Sequence, residues 1–379
     1  MTIDVSLTEG RYDRQSLITW WDQDLLQSAR VLLVGAGALG NEIGKNLALV
    51  GFGHVTIVDM DTIEHTNLAR CAMFRDGDEG KMKAEVLAGR LKEINPDIHT
   101  SFVNNPVETL GEAVIDEFDL IIAGLDSRIA RAWVNQACRH FGKAWVDGAI
   151  EGIRGVARVF GPDGACYECT LGEVDRKIMA QRKSCALLAT EEILAGKVPT
   201  NATTASIIAG VQVQELIKLR HALDDIPVQF GRGLMFIGET LDTYIVTYDE
   251  DESCAAHSRL PDRVDAGYAD SRSIRDLINL YAPNCDSVMV LHDVVRTSSC
   301  TNCGTPKVRQ NKMLDSFGTG ALICEKCETP MSLEVVTSWT VDDDLCEEPL
   351  SKLGLSEFDV IGLRAGRGLL PLVVRSEGK

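Results

Sequence analysis

The sequence has no run of 18 or more apolar residues, about the length a helix needs to cross a bilayer, so no membrane-spanning helix is expected. Residues 1–10 lack the basic and then apolar order of a secretory signal, and a cytoplasmic location is expected. Positive charge is in short supply: 38 Lys and Arg stand against 56 Asp and Glu, a net charge of −18. A surface of that sign repels a phosphate backbone or an anionic bilayer, which sets aside nucleic acid and membrane as partners. Internal repeats and low-complexity tracts are absent as well, which sets aside repeat architectures.

What is present is a chain of 379 residues, 45% of them apolar, enough for one large domain and a smaller one. Short β-branched runs at 30–34, 55–58, 119–123 and 144–146 alternate with longer amphipathic stretches and are bounded by Gly, Asp or Asn. That is the rhythm of a parallel sheet wound with helices, an α/β fold. A crossover of mixed polarity follows at 170–200. From Asn201, the stretch NATTASIIAGVQVQELIKL sets Ile207, Val211, Leu216 and Leu219 at near-helical spacing, predicting a long, largely buried helix. After Arg259 the charged stretch RLPDRVDAGYADSR reads as a linker, and residues 350–374 as a small strand-rich tail. The expected division is a first domain at 1–260, containing the crossover, and a second region at 261–379.

The run VLLVGAGALG sets Gly35, Gly37 and Gly40 directly after a strand and at the start of a helix. Glycines there permit a tight turn and close backbone approach, so a phosphate can sit on the helix N-terminus of a Rossmann-like unit. Asp59 closes the next strand, where an acid can accept from ribose hydroxyls. These features alone fit NAD or ATP. Beyond that strand, DMDTIEHTNLARC supplies Asp61, Asn67 and Arg70, and GKMKAE supplies Lys83. Two cations beside one glycine turn suit a triphosphate. Asp126, in AGLDSRIAR, falls at the carboxyl edge of the sheet, where it can hold Mg²⁺ between phosphates.

Taken in order, RYDRQ, GAGALG, DMDTIEHTNLAR, the Gly-x-x-Lys run and GLDS resemble the adenylating domain shared by ubiquitin-activating enzymes and the bacterial thiamine- and molybdopterin-pathway adenylyltransferases, over about residues 10–260. The resemblance implies ATP-dependent activation of the C-terminal glycine of a ubiquitin-like protein, in a homodimer. It implies that Asp59 binds the ribose, that Asn67, Arg70 and Lys83 bind the triphosphate, that Asp126 holds magnesium, and that Arg14 reaches the γ-phosphate of the neighbouring subunit. The family pattern usually has Asp-Asn where this chain has Asp126-Ser127, which leaves the second side chain without an expected role.

Six cysteines stand in C-x2-C pairs. Cys300, Cys303, Cys324 and Cys327 have zinc-ribbon spacing, and Gly304 allows the turn after the first pair. Cys166 and Cys169 form a third pair. In the family a further C-x2-C lies beyond the long buried helix, and this chain has Cys254 and His257 in that place, so the resemblance implies a second zinc on Cys166, Cys169, Cys254 and His257. Two zinc ions per chain are expected. Cys71, Cys138, Cys285 and Cys346 are single and read as small buried residues. Cys185, in QRKSCALL, lies in the crossover where the ubiquitin-activating members carry their acyl-accepting cysteine, and Arg182 and Lys183 beside it would favour its thiolate. Transfer from Cys185 to a conjugating enzyme is the leading expectation. The alternatives are adenylation of a sulfur-carrier protein for thiamine or molybdopterin synthesis, and a zinc-bearing scaffold without chemistry.

Overall fold

The computed structural model describes residues 10–172, 199–314 and 322–376, which fall into two compact units. One takes in residues 10–107, 115–172 and 199–258; the other takes in 108–114, 259–314 and 322–376. Among the described residues, no helix is long and apolar enough to cross a membrane.

The first unit is built on an eight-stranded sheet. Its strands are β1 (Arg30–Val34), β2 (His54–Val58), β3 (His99–Val103), β4 (Leu120–Ala123), β5 (Trp145–Glu151), β6 (Arg154–Phe160), β7 (Arg232–Ile237) and β8 (Asp242–Thr247). They run in the order β3-β2-β1-β4-β5-β6-β7-β8. Pairing is parallel from β3 to β5 and antiparallel from β5 to β8. This is the α/β, Rossmann-like, mostly parallel sheet that the sequence predicts. The helices are α1 (Gln23–Ser28), α2 (Ala38–Val50), α3 (Lys83–Ile94), α4 (Arg128–His140) and α5 (Ala202–His221).

β1 is buried from Val31 to Val34, as expected of an apolar run covered on both faces. Val31, Leu33, Ile57, Ile122 and Val146 meet Ile43 and Leu47 of α2, Leu87 and Leu91 of α3, and Ile208 and Leu216 of α5 in one core. Each fully buried Leu or Ile contributes about 1.5–3 kcal/mol of transfer free energy. The chain leaves β1 toward β2 and β3 on one side and returns at β4 on the other. Strand order therefore reverses between β1 and β4, the position at which open α/β sheets bind ligands beyond the carboxyl ends of their strands.

Two expectations are corrected. The buried stripe of α5 is Ala205, Ile208, Ala209, Gln212, Val213, Leu216 and Ile217, while Ile207 is 42% exposed. The helix is too apolar around its circumference for the predicted stripe to choose its inward face. The charged stretch after Arg259 contains a strand, β9 (Val264–Tyr268), which pairs in parallel with the last strand, β14 (Gly368–Ser376), from Val264 opposite Leu372 to Tyr268 opposite Ser376. Only Ala266 of this strand is fully buried, so its alternation is weak in the sequence.

The second unit is a six-stranded sheet of β9, β10 (Ser287–Ser299), β11 (Val308–Met313), β12 (Ser332–Thr340), β13 (Val360–Ala365) and β14 (Gly368–Ser376). Helix α6 (Ile274–Tyr281) contributes Ile274, Leu277 and Ile278 to a core with Val288, Trp339, Ile361, Leu363 and Leu372. The strand-rich tail expected at 350–374 supplies β13 and β14.

Candidate functional site

The carboxyl end of β1 runs into the glycine turn. Gly35 has φ +96°, and a Cβ there would stand 2.6 Å from the Gly124 carbonyl oxygen after β4. A Cβ on Gly40 would lie 1.9 Å from the Gly35 carbonyl oxygen, whereas one on Gly37 would meet nothing within 4 Å. The turn is thus closed against the loop after β4 at Gly35 and against the start of the helix at Gly40, and Gly37 faces open space. Gly37 is also the N-cap of the 13-residue α2 and provides no side chain to bond its first N–H groups. An oxyanion fits such an end by geometry and by the helix dipole.

Asp59, Asp61 and Lys83 are linked to one another beside this turn. Asp59 follows β2 and accepts from the N–H of Ala36 at 2.6 Å and of Asp61 at 2.8 Å. Burial pushes its carboxyl above the ordinary value, against the pull of those N–H groups and of Lys83. Lys83 opens α3, and its Nζ donates to Asp61 Oδ2 at 2.7 Å. Burial pushes the Lys83 ammonium down, but Asp61 and Asp59 outweigh it and leave the net shift upward, so it stays a cation. Arg70 is half-buried and donates through Nη1 to the Thr66 carbonyl at 2.8 Å. Asn67 is buried, and its Oδ1 accepts from the Glu64 N–H at 3.0 Å within a short helical turn. That bond fixes the Asn67 side chain through its oxygen. Asp126 is exposed in the loop between β4 and α4. Ser127 finds a role as the N-cap of α4, accepting from the Ala130 N–H at 3.2 Å. Arg14 is exposed in the turns before α1, and Cys185 lies outside the described residues.

Several residues that sequence reasoning passed over shape this edge. Asn41 is wholly buried; its Nδ2 donates to the carbonyls of Ala36 at 2.7 Å and Gly37 at 3.0 Å, and its Oδ1 accepts from Met73 N–H. Gln212 of α5 donates to the Ala123 carbonyl at 2.8 Å. Asp147 of β5 is wholly buried and binds Arg131 Nε at 2.9 Å and Arg158 Nε at 2.9 Å. Burial alone would raise the Asp147 carboxyl, but the Arg158 and Arg131 guanidiniums hold it below the carboxylate range. An acid in the midst of the apolar run WVDGAI is the one sequence signal for this group.

Among the described residues, two clusters could hold a metal ion, each with four ligand atoms within 4.8 Å of one another. The first is Cys166, Cys169, Cys254 and His257, with Cys169 Sγ 3.1 Å from His257 Nε2 and Cys166 Sγ 3.7 Å from Cys169 Sγ. Glu250 Oε1 stands 3.4 Å from the other ring nitrogen of His257, an arrangement that orients a metal-binding imidazole. Burial and the neighbouring Cys166 and Cys169 thiols push Cys254 up to about 12; a crowd of thiols ionises together only around a cation.

The second cluster, in the other unit, is Cys300, Cys303, Cys324 and Cys327. Its two halves are built alike. Thr305 Oγ1 lies 2.9 Å from Cys303 Sγ and Thr329 Oγ1 lies 3.0 Å from Cys327 Sγ. Gly304 and Glu328 both take left-handed backbone, φ +68° and +54°. The Thr329 hydroxyl also holds the Cys300 thiol down to about 6. Both donor sets fit zinc, which accepts four thiolates or three thiolates and an imidazole. The four single cysteines Cys71, Cys138, Cys285 and Cys346 are buried.

Residues 12–244 match the ThiF family. The SAMP-activating enzyme E1 of Haloferax volcanii is 30% identical over 265 residues, 67% of this chain and 91% of that protein. The NEDD8-activating enzyme E1 catalytic subunit of Caenorhabditis elegans is 40% identical over 162 residues, 39% of this chain and 38% of that protein. The chain therefore spans well under half the length of that relative. Among solved structures, Escherichia coli MccB with ATP superposes with a TM-score of 0.56 at 23% identity, covering 67% of this chain and 75% of that one.

Proposed function

Because the chain belongs to the ThiF family, we propose that it adenylates the C-terminal glycine carboxylate of a ubiquitin-like protein with ATP, captures the acyl group on Cys185 and passes it to a conjugating enzyme. The observation that carries this reading is the gathering of Asp59, Asp61 and Lys83 around an open glycine turn, with Asp126 on the neighbouring loop. Two relatives are named as activating enzymes, for SAMP and for NEDD8.

In the proposed reaction the glycine carboxylate attacks the α-phosphorus, a C–O–P bond forms, the bond to the β-phosphate breaks and pyrophosphate leaves. Asp59 accepts from the ribose hydroxyls. The N–H groups at the start of α2, Arg70 and Lys83 receive negative charge that shifts onto the departing phosphates. Asn67 is assigned to the triphosphate by the family motif; its Oδ1 accepts from the Glu64 N–H, and its Nδ2 is the group that would donate to a phosphate oxygen. A magnesium ion at Asp126 would screen phosphate charge. In a second step the Cys185 thiolate attacks the acyl carbon and AMP leaves. Arg14 reaches a neighbouring subunit's γ-phosphate in a homodimer.

The test is ATP–pyrophosphate exchange. Label exchanges only when a cognate ubiquitin-like protein with a free C-terminal carboxylate is present, and Asp126→Ala abolishes it. The same mixture forms an adduct that reducing agent cleaves and Cys185→Ala removes, while exchange continues. Exchange without an adduct in the wild-type chain would instead favour a sulfur-carrier substrate, and no exchange with any such protein would sink the reading.

A further inference from the structure

The loop that carries Asp126 is held from several sides. The Gly124 N–H donates to the Val34 carbonyl at 2.9 Å, Gln212 holds the Ala123 carbonyl, and Ser127 caps α4. The remaining hold comes from Arg131, a buried residue of α4. Its Nε donates to Asp147 Oδ1 at 2.9 Å, and its Nη2 donates to the Gly148 carbonyl at 3.0 Å and to the carbonyl of Leu125, the residue before Asp126.

Stability alone does not account for this arrangement. Asp147 is wholly buried and is shared by two guanidiniums, Arg131 and Arg158, so this group of three sets two positive charges against one negative. Apolar replacements of buried ion pairs are often neutral or stabilising, because removing charges from water costs several kcal/mol per ion. An apolar side chain at 131 could not hold the Leu125 carbonyl. Arg158, by contrast, binds the same carboxylate from β6 through Nε and Nη2, beneath the Tyr167 ring at 5.3 Å.

We propose that Arg131 is a positioning residue: by holding the Leu125 carbonyl it sets the place of the Asp126 carboxylate, and so the affinity of the site for the divalent cation that accompanies ATP. This rests on the nucleotide reading above. The planar guanidinium meets three acceptors on two segments at once, which an ammonium cannot do in the same geometry.

The experiment titrates Mg²⁺ against ATP binding, measured calorimetrically, in the full chain and in Arg131→Lys and Arg158→Lys, with thermal unfolding of each recorded in parallel. Both variants disturb Asp147 and both lower the unfolding midpoint. Arg131→Lys alone raises the Mg²⁺ concentration for half-saturation, by about 10- to 100-fold as for losses of an orienting partner behind a metal ligand, and leaves ATP binding in EDTA unchanged. Equal Mg²⁺ dependence in the two variants, or wild-type dependence in Arg131→Lys, overturns the proposal. If Arg131→Lys does not fold, Arg131→Gln is read by the same criterion. A wild-type chain that binds no ATP at any Mg²⁺ concentration overturns the nucleotide reading and this inference with it, a result distinct from a positioning failure.

Discussion

Gly37 and Gly40 stand one helical turn apart and are glycines for different reasons. Gly40 is closed against the Gly35 carbonyl, whereas Gly37 faces nothing within 4 Å. Gly40→Ala therefore lowers stability by about 1–3 kcal/mol, the range for overpacking, and weakens ATP binding with it. Gly37→Ala leaves stability within about 1 kcal/mol but puts a methyl where a phosphate would approach. Urea unfolding and ATP titration of the two variants check this, and equal stability losses would refute the distinction. Residues such as these are legible in a sequence because only one side-chain type fits and the spacing repeats the geometry. Asp59, Asp61 and Lys83 are legible as charges in a fixed order after the turn. Asn41, Gln212 and Arg131 are not, because a polar residue in a helix reads as solvent-facing until the fold buries it. Asn67 is readable by position alone, and the capping bond that occupies its oxygen leaves no mark in the pattern.

Among the elements, α5 shows where periodicity fails as a guide. A helix with apolar residues around most of its circumference has no strong amphipathic direction, so the choice between Ile207 and Ile208 falls to the sheet beneath. Ile208 is fully buried and touches the position where Gly155 lacks a side chain; Ile207 is largely open. Ile208→Ala costs about 2–4 kcal/mol, and Ile207→Ala changes stability by no more than about 0.5 kcal/mol. Chemical denaturation of the pair decides it, and the reverse ranking would mean that the helix sits in another rotation. β1, β2, β4 and β5 are legible because most of their residues are buried and read as near-continuous apolar runs, whereas β3 and β8 are largely exposed and leave no such run. β9 is hidden for the opposite reason: it is half exposed and carries Asp265 beside Arg375, 2.9 Å apart.

At the scale of the whole molecule, each unit carries its own metal cluster, and the two should load independently. Metal analysis should give two zinc ions per chain, Cys166→Ser leaving one and Cys300→Ser leaving the other; a single ion in the wild-type chain would remove one of the two clusters. Loading of the cluster that contains Cys254 also weakens as pH falls, since an ion must displace the proton that Cys254 holds with its value near 12. Charge sets a further condition. The chain carries a net −18, yet the site proposed for a polyanion has a cation, Lys83, already bonded to Asp61 at 2.7 Å. A tethered carboxylate acts at an effective concentration far above that of small anions in solution. On the proposed reading, nucleotide entry at this edge would be an ion exchange: chloride or acetate, with one weak contact, would not displace Asp61, and an anion that grips Lys83 and the α2 terminus together would. The pair would make the site selective by competition from within.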